Sequence, residues 1–476
     1  MDDTRQWLKK ADKLGFVKKI NGADWDLEIG AITTLNHDIE DSAILLFDKI
    51  KGYKPGYRVA AGSTSSCDAL ALCMNLPTGL SMAGLLDIYI EKQLVWDGKL
   101  DKFPCKVVKT GPVMENKDRG KDVDLLKFPV PKWHELDGGR YIGTANAVIT
   151  RDPDSGDINF GTYRMMVQNR NTASLFVLPG KHARMHYEKY HARGKPCPVA
   201  ISFGHHPLYF KAACVNLPPG KEYNYVGAVS GEPAKVITEE ITGLPIPADS
   251  EIVAAGWCPP DKYMIEAPFG EWTGYYATKE APAPVVEVER IYYRDDPILL
   301  GNPPTGPLGE PSASIQGSAR IYTTLAKNGL TAGIKRVWLN RAGREFMILV
   351  SMRQMYAGHS RDIAMFLLQN RALSPLGRYV IVLDEDIDPM DPQQVLWAVG
   401  TRTDPITSID IIKRTRSVSM DPMVQKPAKA FFTSRAIIDT CKPYEWREDF
   451  PPLVKLSPGL EKSTREKWGK TLNLKE

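Results

Sequence analysis

The chain has 476 residues, 43% of them hydrophobic and 25% charged, with 61 basic side chains against 57 acidic ones for a formal charge of +4. That length exceeds what one hydrophobic core usually supports, so two or three domains are expected. So even a charge balance, with no long basic run interleaved with aromatics, excludes nucleic acid as the main partner. Seven dispersed cysteines without a C-x-x-C pair exclude a disulfide framework and a cysteine zinc site, and fit reduced thiols in a cytoplasmic protein.

The opening, MDDTRQWLKKADKLGFVKKI, repeats Trp7, Leu8, Ala11 and Leu14 at helical spacing and lacks the apolar core and cleavage site of a signal peptide. No apolar run is long enough to span a bilayer, so a soluble protein without a membrane partner is expected. SAILLFDKI (42–50) and YRVAAG (57–62) read as strands and TGLSMAGLLDIYIEKQLVWDG (78–98) as a helix, which makes residues 1–112 an α/β domain. Residues 113–310 carry short β-type runs: YIGTANAVIT (141–150), FGTYRMMVQ (160–168), TASLFVLP (172–179), CPVAISFG (197–204) and PAPVVEVERIYYR (282–294). Turn signals such as DPDSGD and NLPPGKE separate them, and HARMHYEKYHARG (182–194) reads as an inserted helix, so a barrel or a sandwich is expected. The Pro/Gly/Ser-rich stretch GNPPTGPLGEPSASIQ (301–316) reads as a linker or a lid loop. In 311–476 the α/β pattern returns, with strands EFMILVSM (345–352) and GRYVIVLDEDID (377–388), helices AMFLLQNRAL (364–373) and DPQQVLWAVGTR (391–402), and a Pro- and charge-rich tail.

The stretch EAPFGEWTGYY sets Glu266 and Glu271 five residues apart around a Pro-Phe-Gly turn, with Trp272, Tyr275 and Tyr276 following. In a regular strand such a pair would face opposite sides. Pro268 fixes φ and Gly270 permits φ > 0, so the turn can bring both acids to one cavity walled by the three aromatics. NFGTYR places Asn159 and Arg164 five apart among apolar neighbours, and a buried arginine must find a carboxylate, one of the paired glutamates being the natural partner. His182 lies eighteen residues beyond Arg164, and Glu232 follows in YVGAVSGEP. Asn, His and Glu form a reasonable ligand set for Mn²⁺ or Mg²⁺, although their spacing alone is no metal motif. His186 and His191 are expected on the exposed side of the His182 helix, and His205 and His206 end an apolar strand.

These stretches together resemble the UbiD family of reversible decarboxylases. The most specific match is E-x-P-F-G-E-aromatic-x-G-Y, here Glu266, Pro268, Phe269, Gly270, Glu271, Trp272, Gly274 and Tyr275; N-x-x-x-x-R with His eighteen residues later, and the G-E of VSGEP, also fit. The resemblance implies an α/β (α+β) fold: an N-terminal α/β domain, a central split β-barrel flavin-binding domain and a C-terminal α/β oligomerisation domain. It implies prenylated FMN as cofactor, a flavin prenyltransferase as its source, and Asn159, His182 and Glu232 holding Mn²⁺ or another divalent cation, with K⁺ nearby. Arg164, Glu266 and Glu271 would be the catalytic network, and Tyr163, Arg164, Lys181 and Arg378 further cofactor contacts. Lys181 stands where the family often has Gln, and Arg378 where it often has Lys.

The expected reaction is release of CO₂ from an aromatic, heteroaromatic or α,β-unsaturated acid, in a homodimer or homohexamer joined through the C-terminal region. Trp272 and Leu178 are expected to narrow the substrate slot, which leaves a free acid or a CoA thioester open. A non-catalytic subunit of a larger carboxylase has no need of the full set of charged residues. An ordinary FMN oxidoreductase has no use for two acids and an arginine.

Overall fold

The computed structural model describes all residues except 40–41, 277–278, 307–309, 371–376, 425–431 and 475–476. The first helix, Thr4–Lys13, starts in a capping box between Asp3 and Gln6 and buries Trp7, Leu8 and Ala11. Leu14, expected on the same stripe, is 51% exposed. The helix ends one residue short of it because Gly15 takes a left-handed φ of +80°.

Four strands form the first sheet, in the order Val17–Asn21, Ile44–Asp48, Arg58–Ala61, Ile298–Gly301. The fourth comes from the far end of the central region and runs parallel to Arg58–Ala61. Residues 1–112 therefore do not complete this sheet alone. At the other end, Lys106–Val107 already pairs with Lys235–Thr238 of the central region.

The central sheet has ten strands and curls into a half-barrel. Its path runs Tyr141–Gly143, Met165–Asn169, Thr172–Ser174, Ala281–Tyr293, Ile252–Cys258, Cys197–Gly204, Ala147–Arg151, Ile158–Gly161. Asn116–Arg119 and Tyr263–Glu266 pair on the long Ala281–Tyr293 strand. A register shift at Ala255/Gly256 bends the sheet, and Gly256 has no room for a side chain there, since a Cβ would lie 1.9 Å from the Glu287 carbonyl oxygen. Every residue of Cys197–Gly204 is buried, as its continuous apolar run predicts for a strand covered on both faces. Two expected strands are each broken in two: 141–150 at residues 144–146 and 160–168 at residues 162–164. The second break sets Arg164 just ahead of a strand, where its side chain escapes the pleat.

Lys106–Val107 and Lys235–Thr238 form a small sheet with Pro245–Pro247, and a five-stranded sheet in the C-terminal region holds Ile334–Leu339, Met347–Met352, Tyr379–Asp384, Phe432–Asp439 and Ile409–Arg416 in that order. The stretch read as a linker is partly helical, because the helix Pro311–Lys327 begins inside it. Its small residues serve close packing: Ser314, Ser318 and Ala319 are buried, and a Cβ on Gly317 would come within 2.3 Å of Leu339. The helix expected at 364–373 is His359–Gln369, and residues 371–373 lie outside the described ones. The strand expected at 377–388 ends at Asp384, after which Arg402 gathers Asp384 and Asp386. Among the described residues, no helix is long and apolar enough to cross a membrane.

Candidate active site

The strand Tyr263–Glu266 carries the first acid to the point where its ladder with Ala281–Tyr293 stops, Glu266 opposite Ala281. Beyond it the chain is gripped from one side. The Tyr141 hydroxyl donates to the Ala267 carbonyl at 2.6 Å and the Gly138 N–H to the Pro268 carbonyl at 2.9 Å. Phe269 is 3% exposed and stacks on Tyr141 at 4.1 Å, which turns the bend inward. After Glu271 the loop closes on itself: Glu271 N–H donates to the Tyr275 carbonyl and Gly274 N–H to the Glu271 carbonyl, at 2.9 and 2.8 Å. The left-handed residue that permits this is Gly274, at φ +85°; Gly270, expected to take that part, has no positive φ.

Both acids reach Arg164. Its Nε and Nη2 donate to the two oxygens of Glu266 at 2.8 and 2.9 Å, and its Nη1 donates to Glu271 Oε1. The three side chains are 10%, 2% and 6% exposed. Burial raises the Glu266 pKa above its ordinary value; Arg164 opposes this and the neighbouring Glu271 charge adds to it. Burial alone would make the Arg164 guanidinium less basic, but its bonds to Glu266 and the charge of both acids outweigh that and raise its pKa. The Phe176 ring lies 3.8 Å from the guanidinium carbon. The aromatic wall is thus Phe176, Phe269 and Tyr141. Of the aromatics expected in that place, Tyr275 and Tyr276 are 61% and 37% exposed and Trp272 is half-buried.

A second polar corner lies along the strand Ile158–Gly161. Asn159 is buried there opposite Thr150, and its Oδ1 accepts from the Tyr163 hydroxyl at 3.5 Å. The same hydroxyl oxygen lies near the backbone N–H of Ala183, next to His182 at the start of the helix His182–His191. Gly161 makes room for this ring, since a Cβ would sit 2.6 Å from the Tyr163 oxygen. The carboxylate of this corner is Glu222. It heads the helix Glu222–Ser230, is 6% exposed, lies near the backbone N–H of Phe160, and is pushed up by burial to about 7. Neither helix has a side-chain cap, so both offer N–H groups where they start.

Glu232, the expected third ligand, is elsewhere. Its side chain is 66% exposed and bonds the N-terminal ammonium of Met1 at 2.7 Å. The physical reason is Gly231, a left-handed cap at φ +81° that turns the chain outward just before it. The sequence signal for Glu222 is an acid opening a helix whose next seven residues are all buried.

Two relationships now bear on what the site does. The chain matches the families described as the 3-octaprenyl-4-hydroxybenzoate carboxy-lyase N-terminal domain (residues 6–88), Rift-related domain (106–307) and C-terminal domain (313–440). It is also 32% identical, over 88% of its length and 86% of the other's, to the pyrrole-2-carboxylic acid decarboxylase of Pseudomonas aeruginosa. The chain belongs to the UbiD family. It is a decarboxylase, a carboxy-lyase, of that class. Among solved structures it is similar to the UbiD-class enzyme HmfF from Pelotomaculum thermopropionicum in complex with FMN, with a TM-score of 0.83 at 26% identity over 97% of this chain and 98% of that one. An evolved dimeric form of HmfF in complex with prFMN matches with a TM-score of 0.80 at 26% identity, covering 96% and 97%.

The remaining expected residues of this UbiD-type enzyme fall in several places. Lys181 is exposed, directly ahead of His182. Arg378 pairs with Asp421 and lies over the Phe346 ring at 4.6 Å, within the C-terminal region. His186 is not on an exposed face: it is buried, its Nδ1 lies 2.9 Å from the Thr150 hydroxyl, and burial pulls it down to about 4. His191 is half-buried, its Nε2 3.0 Å from the Cys258 carbonyl. Among the described residues no three His, Cys, Asp or Glu side chains form a metal cluster, which is consistent with a mixed set that includes an asparagine.

Proposed function

We propose that this UbiD-type decarboxylase reversibly removes CO₂ from an aromatic, heteroaromatic or other α,β-unsaturated carboxylic acid, using prenylated FMN and the proton held by Arg164, Glu266 and Glu271. The observation that carries the reading is the buried network itself, two carboxylates on one guanidinium. With both acids ionised it would hold a net negative charge out of water, so one proton shared by the pair is the stable state. The bidentate fork on Glu266 favours the carboxylate there. That leaves Glu271, on a loop that can deliver it, as the proton donor to the carbon that loses CO₂.

Loss of CO₂ from an sp² carbon leaves a bonding pair that no side chain can accept, and prenylated FMN, when bound, supplies that electron sink. Asn159, His182 and Glu222 are the residues suited to hold a divalent cation such as Mn²⁺ beside the cofactor phosphate, with a K⁺ ion adjacent. The uncapped starts of the two helices fit that anion, and a buried Glu222 whose pKa is raised for want of a positive partner fits a carboxyl that would take a cation. Tyr163 steadies Asn159, its hydroxyl donating to the amide oxygen. Lys181, directly ahead of His182, would add positive charge to this corner. The reading includes a flavin prenyltransferase as the cofactor's source and a homo-oligomer formed through the C-terminal region.

The test is reconstitution with prenylated FMN and Mn²⁺, followed by a screen of aromatic, heteroaromatic and cinnamate-like acids for CO₂ release, with pyrrole-2-carboxylate included because a relative acts on it. Release from at least one acid, absent with FMN alone, is expected. Release with unmodified FMN would overturn the cofactor reading.

A further inference from the structure

The loop that carries Glu271 is held at its tip by the Thr273 hydroxyl, which donates to the Met420 carbonyl at 3.3 Å, and at both ends by one buried carboxylate. Asp137, 2% exposed, lies in the segment His134–Tyr141, which lines one flank of the acid hairpin. Its Oδ1 accepts the Gly270 N–H at 3.3 Å and the Tyr276 hydroxyl at 3.1 Å, while its Oδ2 accepts the His134 N–H at 3.0 Å. Gly270 and Tyr276 flank the residues that close on themselves through the Glu271–Tyr275 and Gly274–Glu271 bonds. A single oxygen therefore pins both ends of the closed loop.

We propose that Asp137 is the positioning residue for Glu271, keeping its carboxyl on Arg164 and so in place for proton delivery; the last clause rests on the proton-donor reading above. Glu266 needs no such brace, since it ends a paired strand. A carboxylate is required because all three donors must meet acceptors. The His134 Nδ1 also lies 3.4 Å from Oδ2, and both this ring nitrogen and the Tyr276 hydroxyl can accept as well as donate, but in Asp137→Asn the amide NH₂ must still face either the His134 N–H or the Gly270 N–H, backbone donors that cannot turn, and a buried mismatch of that kind is costly.

The test reads the position of Glu271 directly and needs no substrate. The full chain is treated with a water-soluble carbodiimide and glycinamide, and labelling of Glu266 and Glu271 is mapped by peptide mass. In the unaltered protein both are protected by burial and by Arg164. In Asp137→Asn, labelling of Glu271 should rise about tenfold or more while Glu266 stays protected. Tyr276→Phe removes one of the two bonds from a ring 37% exposed, folds without difficulty, and should raise Glu271 labelling by a smaller factor in the same direction. If neither variant changes the Glu271 label, or if both acids gain label equally in Tyr276→Phe, Asp137 does not position Glu271. Failure of the proton-donor reading shows separately, as retained turnover in Glu271→Gln.

Discussion

The acid hairpin and the Asn159 corner are both buried and polar, yet they are built in opposite ways. In the hairpin, two acids within six residues of sequence close on one arginine, and the bend that does it lies between them. In the corner, the residues come from a strand and the starts of two helices, and are brought together only by the packing of those helices on Ile158–Gly161. A site made by a local turn is robust and recognisable. A site made by tertiary packing depends on which of several similar residues the chain turns inward.

The sharpest way to break this comparison is to remove the proton from the hairpin without altering its shape. Glu271→Gln should lower turnover by about 10²–10⁴-fold, the usual contribution of general acid–base groups, and leave fold, metal and flavin content intact. Decarboxylation and deuterium exchange at the product's reactive carbon should fall together, since exchange runs the same proton transfer in reverse. Wild-type exchange in this variant would falsify the assignment and move the role to Glu266.

The corner is tested by a pair of alanines. Glu222→Ala should purify folded but depleted of both Mn²⁺ and flavin after reconstitution, because on the proposed reading a cation held by Glu222 would in turn help hold the cofactor. Glu232→Ala should lose only its bond to the Met1 ammonium and keep a full complement of both. Equal depletion in the two variants would mean that the exposed acid is recruited once the cofactor binds, and the contrast between the regions would collapse.

How far each region was legible in the sequence follows from the same contrast. That Arg164 would pair with one of Glu266 and Glu271 could be read from residue type, since a buried guanidinium has few possible partners; that all three form one network came from the family resemblance. Their walls could not. Trp272, Tyr275 and Tyr276 were adjacent in sequence, whereas Phe176, Phe269 and Tyr141 supply the contact, because the Glu271 loop closes at Gly274 and sends the tyrosines outward. Glu222 and Glu232 lie at the two ends of one helix stretch, and only the left-handed turn at Gly231 decides which faces solvent. The α/β, β-rich, α/β order was readable from periodicity. The return of Ile298–Gly301 into the first sheet was not, since strand pairing across more than two hundred residues leaves no local signal. The small residues after Pro311 resembled a flexible linker, but in a helix pressed against Leu339 they are what close approach requires.

A pH profile sharpens the hairpin side. The Glu266 carboxyl ionises above its ordinary value of 4.5, through burial first, with Arg164 opposing and Glu271 reinforcing. On the proposed reading a proton on the pair serves turnover, so activity should persist through the ordinary carboxylate range and fall only as pH rises through the raised value. Removing the guanidinium in Arg164→Ala should move that alkaline limb higher still, on a much lower rate. In Glu271→Gln the like-charge repulsion is gone, and the limb of any residual activity should move lower. The measurement is kcat against pH for the three proteins, and shifts of the opposite sign would mean that another group titrates.

The smallest expected effect concerns what holds the bend and not what fills it. Tyr141 donates to the Ala267 carbonyl at 2.6 Å and stacks on Phe269, but touches neither acid through its hydroxyl. Tyr141→Phe keeps the ring and its stacking and deletes one buried donor, which leaves the Ala267 carbonyl dependent on other partners. A neutral bond of this kind is worth about 1 kcal/mol net, so the denaturation midpoint should fall modestly while Arg164 continues to bridge both acids. Turnover should drop far less than in Glu271→Gln, with the alkaline limb of the pH profile close to its original place. A loss of activity as deep as that of Glu271→Gln would show that the proton route passes through the Tyr141 hydroxyl, whose own ionisation is suppressed by burial and by the nearby Glu266 charge. The proton chemistry of the pair would then depend on the Tyr141 hydroxyl as well as on Arg164.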